Sequence, residues 1–171
     1  LPLREDALER LNLFDDIDST LILFLNKICH LEIQDNVQGT CKLISKTEID
    51  GLITIEYLDQ RQYWRVIRQT FEVPTKTSER EPGRAEIAET DIILAFPVNE
   101  TGAPESIKEI EKPDIFSFLP VKKCGFKFII QADFLLTSNR EDILQDSPWN
   151  QFIVGKISEV FIRAIEEFRE D

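Results

Sequence analysis

Between Trp149 and Phe168 the apolar residues Trp149, Phe152, Ile153, Ile157, Val160, Phe161, Ala164, Ile165 and Phe168 recur at steps of three and four. That spacing predicts a helix with one apolar face running for about five turns, and a face of that length has to be laid against another surface. Ser147-Pro148 supplies the start: a hydroxyl to cap the first amides, then a proline where a missing N–H costs nothing. At the far end, Glu166 to Asp171 places acidic groups at the negative pole of the helix, which predicts fraying there.

What the helix covers is legible upstream. In Leu52 to Tyr57, Ile53, Ile55 and Tyr57 alternate with Thr54 and Glu56, and Asp50-Gly51 before them reads as a tight turn between antiparallel strands. Leu31 to Asp35 and Gly39 to Lys46 read as further short strands, and Arg61 to Val73 as a long twisted one. Asp91 to Pro97 is continuously apolar and bounded by turn residues, as in a central strand covered on both faces. After Ile115 to Pro120 comes the clearest alternation: Phe126, Phe128, Ile130, Ala132 and Phe134 point one way, Lys127, Gln131 and Asp133 the other, with Ile129 the exception. The apolar helix face is expected to pack on this sheet. Near the start, Asp18-Ser19-Thr20 can cap a second helix, Leu21 to Cys29, apolar on almost every side. The polar stretches 74–89 and 99–113 read as mobile loops within a single domain spanning 1–171.

Charge narrows the function classes. Twenty Lys and Arg against 32 Asp and Glu leave a net charge of -12, a surface that repels phosphate backbones, so nucleic acid is not the expected partner. No apolar run reaches the roughly 20 residues of a membrane-spanning helix. The three cysteines, Cys29, Cys41 and Cys124, form no metal-binding spacing and indicate a reducing compartment, cytoplasm or nucleus. The single histidine, His30, is expected at a helix end, partly exposed, and makes neither a zinc site nor a catalytic triad by itself. The leading Leu-Pro-Leu carries no initiator methionine and no signal-peptide pattern, so the chain reads as a fragment of a longer one.

A self-contained active site is not visible. None of the six glycines lies in a phosphate-cradling arrangement. The carboxylates at 79–81 and 109–111 read as solvated surface, and Cys124 as a small buried residue without an activating neighbour. One stretch differs. "LLTSNREDIL", 135–144, drops from the end of a strand into Thr137-Ser138-Asn139-Arg140 before apolar residues resume. A stiff strand is a good platform for an exposed loop, and arginine offers a permanently charged planar fork that matches phosphate oxygens. Asn139 tolerates a left-handed backbone and is expected to shape the turn that aims Arg140. The competing expectation is a local ion pair of Arg140 with Glu141, Asp142 or Asp146.

The run "FSFLPVKKCGFKFIIQADFLLTSNREDILQDSPWN", 116–150, resembles the segment that follows the nucleotide-binding domain in large NO VEIN-type and fungal proteins with a histidine-kinase-like ATPase fold, and more distantly sacsin. "STLILFLNKICHLEI", 19–33, is similar to the stretch that opens the same region. Those families are related to the ninety-kilodalton heat-shock chaperones, whose middle domain carries an Asn-x-Ser-Arg-Glu loop between a strand and a long helix. Here Thr137-Ser138-Asn139-Arg140-Glu141 keeps the Arg-Glu pair and reorders the small polar residues before it. The chaperones' glutamine four residues past the arginine is Leu144 here, with Gln145 one position later.

The resemblance implies an α+β middle domain of the ribosomal S5 second-domain type: a mainly antiparallel or mixed sheet backed by helices, the last one long. It implies that ATP and Mg are held by an upstream domain of the same chain and that no cofactor binds this segment itself. Ser138, Asn139 and Arg140 would face that nucleotide, with Arg140 as the catalytic arginine reaching its γ-phosphate and no activity in isolation. The reading from a different class is an acidic protein-interaction module, in which Trp64, Trp149 and the first helix form a docking surface for a partner or client. A stand-alone hydrolase lacks a visible catalytic base.

Overall fold

The computed structural model describes residues 18–25, 27–36, 39–78, 81, 83–105 and 114–170. A 3-10 helix, Ser19–Phe24, leads into strands β1 (His30–Asp35), β2 (Thr40–Ile49), β3 (Leu52–Tyr57) and β4 (Gln60–Glu72). A one-turn helix α1 (Thr75–Ser78) follows, then β5 (Glu89–Val98), β6 (Ile115–Ser117), β7 (Leu119–Lys122), β8 (Ile129–Ala132) and the long helix α2 (Pro148–Glu170). The fold is α+β, one sheet in the order β1-β2-β3-β4-β5-β8-β6-β7. It is mixed: β6 and β8 run parallel, and every other pairing is antiparallel.

The local signals explain most of this. Asp50 and Gly51 both take positive φ, 50° and 77°, so the two-residue turn has the twist that suits a hairpin, and Ile49 pairs with Leu52 across it. β5 lies between β4 and β8, and its continuous apolar run serves two layers. Ile92 and Leu94 join the core under α2, with Ile67, Ile130, Trp149, Ile153 and Val160. Ala95 joins the opposite core, where Ile22 and Leu23 of the 3-10 helix meet Ile44, Ile55, Trp64 and Phe116. Ser147 caps α2 as its position predicts, its Oγ accepting from Asn150 N at 3.2 Å. Where the sequence predicts fraying, α2 continues to Glu170, with an Arg163–Glu167 pair at 2.9 Å across its last turns.

Several expectations are corrected. The first helix is a 3-10 turn that stops at Phe24 instead of a helix to Cys29. Its cap is the predicted one, Asp18 accepting from Thr20 N at 2.9 Å. Its end is set from outside: Lys46 Nζ donates to the carbonyls of Ile22, 2.9 Å, and Leu25, 2.7 Å, and the Cys29 carbonyl accepts from Lys46 N. The chain is thereby pulled into β1, and His30 opens a strand, exposed. The alternation over 126–134 is paired only from Ile129 to Ala132. The fully buried Asp114 carboxylate takes the amides of Cys124 and Phe126, both at 2.7 Å, and draws that segment out of the ladder. Cys124 is consequently exposed, not buried. Finally, 99–105 is an ordered turn built on Asn99, whose Oδ1 accepts from the Thr101 and Ala103 amides at 3.0 Å each. The rest of that predicted loop, 106–113, lies outside the described residues, as does the carboxylate run 109–111.

Because β5 is packed on both faces, truncating it should cost far more than an equal truncation on a solvent-facing strand. Leu94→Ala is expected to lower stability by about 2–5 kcal/mol in urea unfolding, and Leu43→Ala, at an exposed position of β2, by no more than about 0.5 kcal/mol.

Candidate functional site

Past β8 the chain turns sharply, Phe134 N donating to Ala132 O at 2.9 Å, and then folds back on itself as a small hairpin. Leu144 N donates to Leu135 O at 2.9 Å, Leu136 and Ile143 form an antiparallel bridge, and Thr137 N donates to Asp142 O at 2.9 Å. At the tip Arg140 N donates to Thr137 O at 2.8 Å. The residue with left-handed backbone is Arg140 itself, φ 60°, and not Asn139 as the sequence suggests. Asn139 works through its side chain: Oδ1 accepts from Thr137 Oγ1, 2.6 Å, and Glu141 N, 3.3 Å, while Nδ2 donates to Glu141 Oε2 at 2.7 Å. Its carboxamide is therefore spent within the loop.

The local ion pair weighed for Arg140 is not made. Glu141 accepts from Asn139, and Asp142 accepts from Lys122 Nζ at 2.6 Å and from Ile143 N at 2.7 Å. Arg140 is exposed, and its guanidinium forms no ion pair or hydrogen bond with any described residue; the Ser138 hydroxyl is likewise exposed and unbonded among them. The structure thus brings Ser138, Asn139 and Arg140 together on one tip, with a hydroxyl and a guanidinium open to an incoming group. In a chain of net charge -12, an arginine whose neighbouring carboxylates are engaged elsewhere is an anion-seeking group.

Sequence reasoning missed what holds the loop. Asn150, in the first turn of α2 and 2% exposed, accepts from Leu135 N at 2.9 Å and donates to Leu135 O and Leu144 O, 2.8 Å each. Next to it Trp149 Nε1 donates to Asp133 O at 2.7 Å. The signal was present: Asn150 sits beside Trp149 and three residues before Ile153 on the buried helix face, and a polar residue there must find polar partners. Trp149 and Trp64, 0% and 5% exposed, are core residues, which corrects the docking surface built on them. Arg84 stacks over Trp149 at 4.9 Å and bonds both oxygens of Asp133, one of them at 2.7 Å.

Other candidate groups are quiet. Desolvation pushes the Cys124 thiol above its ordinary range, with Lys122 pulling it down and Asp114 and Asp142 adding to the rise, so a thiolate nucleophile is disfavoured. A cleft of about 440 Å³ on the opposite face holds Arg68 with Asp91 and the Asp133 already paired to Arg84. Among the described residues no cluster of His, Cys, Asp and Glu could hold a metal ion, and no helix is long and apolar enough to cross a membrane.

No protein-family model and no solved structure matches the chain. It is 30% identical over 160 residues to "Protein NO VEIN" of Arabidopsis thaliana, a match that takes in 91% of this chain and 6% of that protein. The relationship is NO VEIN-like, and the chain spans a small part of the relative's length.

Two outcomes follow from the loop's chemistry. The Lys122 ammonium, then the Ile143 amide, hold the Asp142 carboxyl below its ordinary range, and the bond to Asp142 raises Lys122. Asp142's contribution to anchoring the loop is thus complete above the unfolded value of about 3.9 and lost as pH falls through its lower folded value; that of Lys122 is complete below about 10.4 and lost as pH rises through its higher one. In an NMR titration Asp142 is expected to titrate below about 3.9, moving upward in Lys122→Ala. Left-handed backbone suits glycine, so Arg140→Gly should leave thermal stability unchanged or raise it by up to about 1 kcal/mol, the relief of strain being partly offset by unfolded-state entropy; Arg140→Ala, which keeps Cβ, should not raise it.

Proposed function

We propose that this chain is a middle-type coupling domain of a chaperone-like ATPase, with Arg140 sensing the γ-phosphate of ATP bound by an upstream domain of the same protein. In this reading the upstream domain has the histidine-kinase-like ATPase fold and holds ATP with Mg, while the present sheet and helix correspond to a middle domain of the ribosomal S5 second-domain type. The domain is inert by itself. Its one contribution is a cation delivered to a phosphate.

The observation that carries the reading is the open guanidinium. Arg140 stands at a strained backbone position on a hairpin pinned to a buried helix end, and the two adjacent carboxylates are engaged by other groups. A planar fork carried on that fixed backbone can meet two phosphate oxygens at once and offset charge that builds on the transferred group, the phosphate itself ordering the side chain. Ser138 supplies a hydroxyl beside it. Asn139, closed onto Thr137 and Glu141, sets the shape of the tip and so reaches the nucleotide only through the loop it organises. The NO VEIN-like relationship supports the placement within a long chain.

A second reading has its own observation. Val154, Phe161 and Ile162 of α2 and Phe126 beside it are exposed, and several of them border an apolar groove of about 500 Å³. A protein-interaction module would use that surface, not the buried tryptophans.

Arg140→Ala in the full-length protein is the deciding substitution. Arginine fingers in other nucleotidases are worth roughly 10³ to 10⁵ in rate, so steady-state ATP hydrolysis is expected to fall by about 10³-fold or more, with Arg140→Lys restoring only part because a point charge replaces the fork. Unchanged hydrolysis in Arg140→Ala overturns the proposal.

A further inference from the structure

The geometry points to Asn150 as the positioning residue that sets where Arg140 is held, making the arginine's location a function of the first turn of α2. Its consequence for turnover rests on the phosphate-sensing reading above; the positioning itself does not.

Three bonds from a single carboxamide reach both stems of the hairpin: the N–H and C=O of Leu135 on one side and the C=O of Leu144 on the other. Leu135 and Leu144 are the pair at the base of the hairpin, so whatever fixes them fixes the register and direction of everything up to the tip. The clamp is buried, and water has little access to replace it. Its base is equally defined. Ser147 Oγ accepts from Asn150 N, the Ser147 hydroxyl donates to Glu81 Oε1 at 2.5 Å, and Trp149 anchors the same turn to Asp133 O. Residues 147–150 thus join the exit of β8, the stems of the arginine hairpin and the start of α2.

The work needs a carboxamide, one oxygen to accept and one NH2 to donate twice, and the only other side chain that carries one, glutamine, is a methylene longer. Aspartate has the same shape but no donor, and would set a carboxylate oxygen against two carbonyl oxygens; an apolar residue leaves Leu135 N and Leu144 O without partners, Leu135 O keeping only its bond from Leu144 N. Further toward the tip, the hairpin has its own cross-strand bonds, the Lys122–Asp142 bridge and the packing of Leu136 and Ile143 on the core under α2, none of which replaces the clamp's bonds to the backbone at its base. Loss of the clamp should therefore loosen 135–144 while the sheet and the rest of α2, held by their own apolar core, stay closed.

The test is hydrogen–deuterium exchange on the full-length protein, read by mass spectrometry, comparing wild type with Asn150→Asp and with Asn150→Ser, which adds no charge and serves if the first variant fails to fold. Exchange in peptides covering 135–144 is expected to rise about tenfold or more, with peptides from β4 and β5 unchanged. ATP hydrolysis by the variant should fall as in Arg140→Ala, and combining the two substitutions should add little, since both remove one placed guanidinium. A rise spread evenly over the chain would make Asn150 an ordinary stability residue and overturn the inference, as would no rise at the hairpin. Should Arg140→Ala leave hydrolysis untouched, the phosphate-sensing reading ends, and the exchange pattern still decides whether Asn150 positions the loop.

Discussion

Where a strand leaves a sheet inside a protein, its amides and carbonyls lose their ladder partners and must find others, because an unpaired buried backbone group costs about as much as the net gain from one or two hydrogen bonds. In this chain that constraint is met by single buried side chains. Asp114 takes the amides of Cys124 and Phe126 before β8, and Asn150 takes the backbone of Leu135 and Leu144 after it. Between them only Ile129–Ala132 remains in the ladder. The short length of β8 and the exposure of Cys124 follow from these two polar clamps, as does the return of the hairpin against the end of α2.

Strain and charge are arranged around the tip in a consistent way. A left-handed φ at a non-glycine residue costs of order 1–3 kcal/mol and persists only where the surroundings over-determine it. Here they do: the hairpin bonds close behind Arg140 and the Asn139 carboxamide closes in front of it. The two carboxylates that follow the arginine directly are occupied, Glu141 by an amide and Asp142 by a lysine. A surface arginine kept out of local pairs retains its full donor set for a partner, which is the physical content of the phosphate-sensing proposal.

Exposed side chains gather at the tip of the hairpin and along the outer side of α2. The two surfaces differ in character. The arginine tip is polar and directional, whereas the outer side of α2 with Phe126 is apolar and broad. Ile143 lines the apolar groove and belongs to the arginine hairpin, so the two surfaces share a wall.

Much of the architecture was legible because its signals are local. The Asp50-Gly51 turn, the alternation of β3, the doubly covered β5 and the capped amphipathic α2 each depend on residues within a few positions of one another. The sequence also picked out the tip 138–140 as the place where a charged group leaves an apolar platform. What it could not reveal depends on partners far apart in the chain. Lys46 ends a helix begun 27 residues earlier at Ser19, Asp114 unpairs a strand that alternation alone extends, and Asn150 reaches back to Leu135. The left-handed turn at Arg140 and the engagement of Glu141 lie within bonds of 137–141, and that of Asp142 needs the distant Lys122; in each case a propensity ranks the choices and only packing and hydrogen-bond satisfaction decide among them.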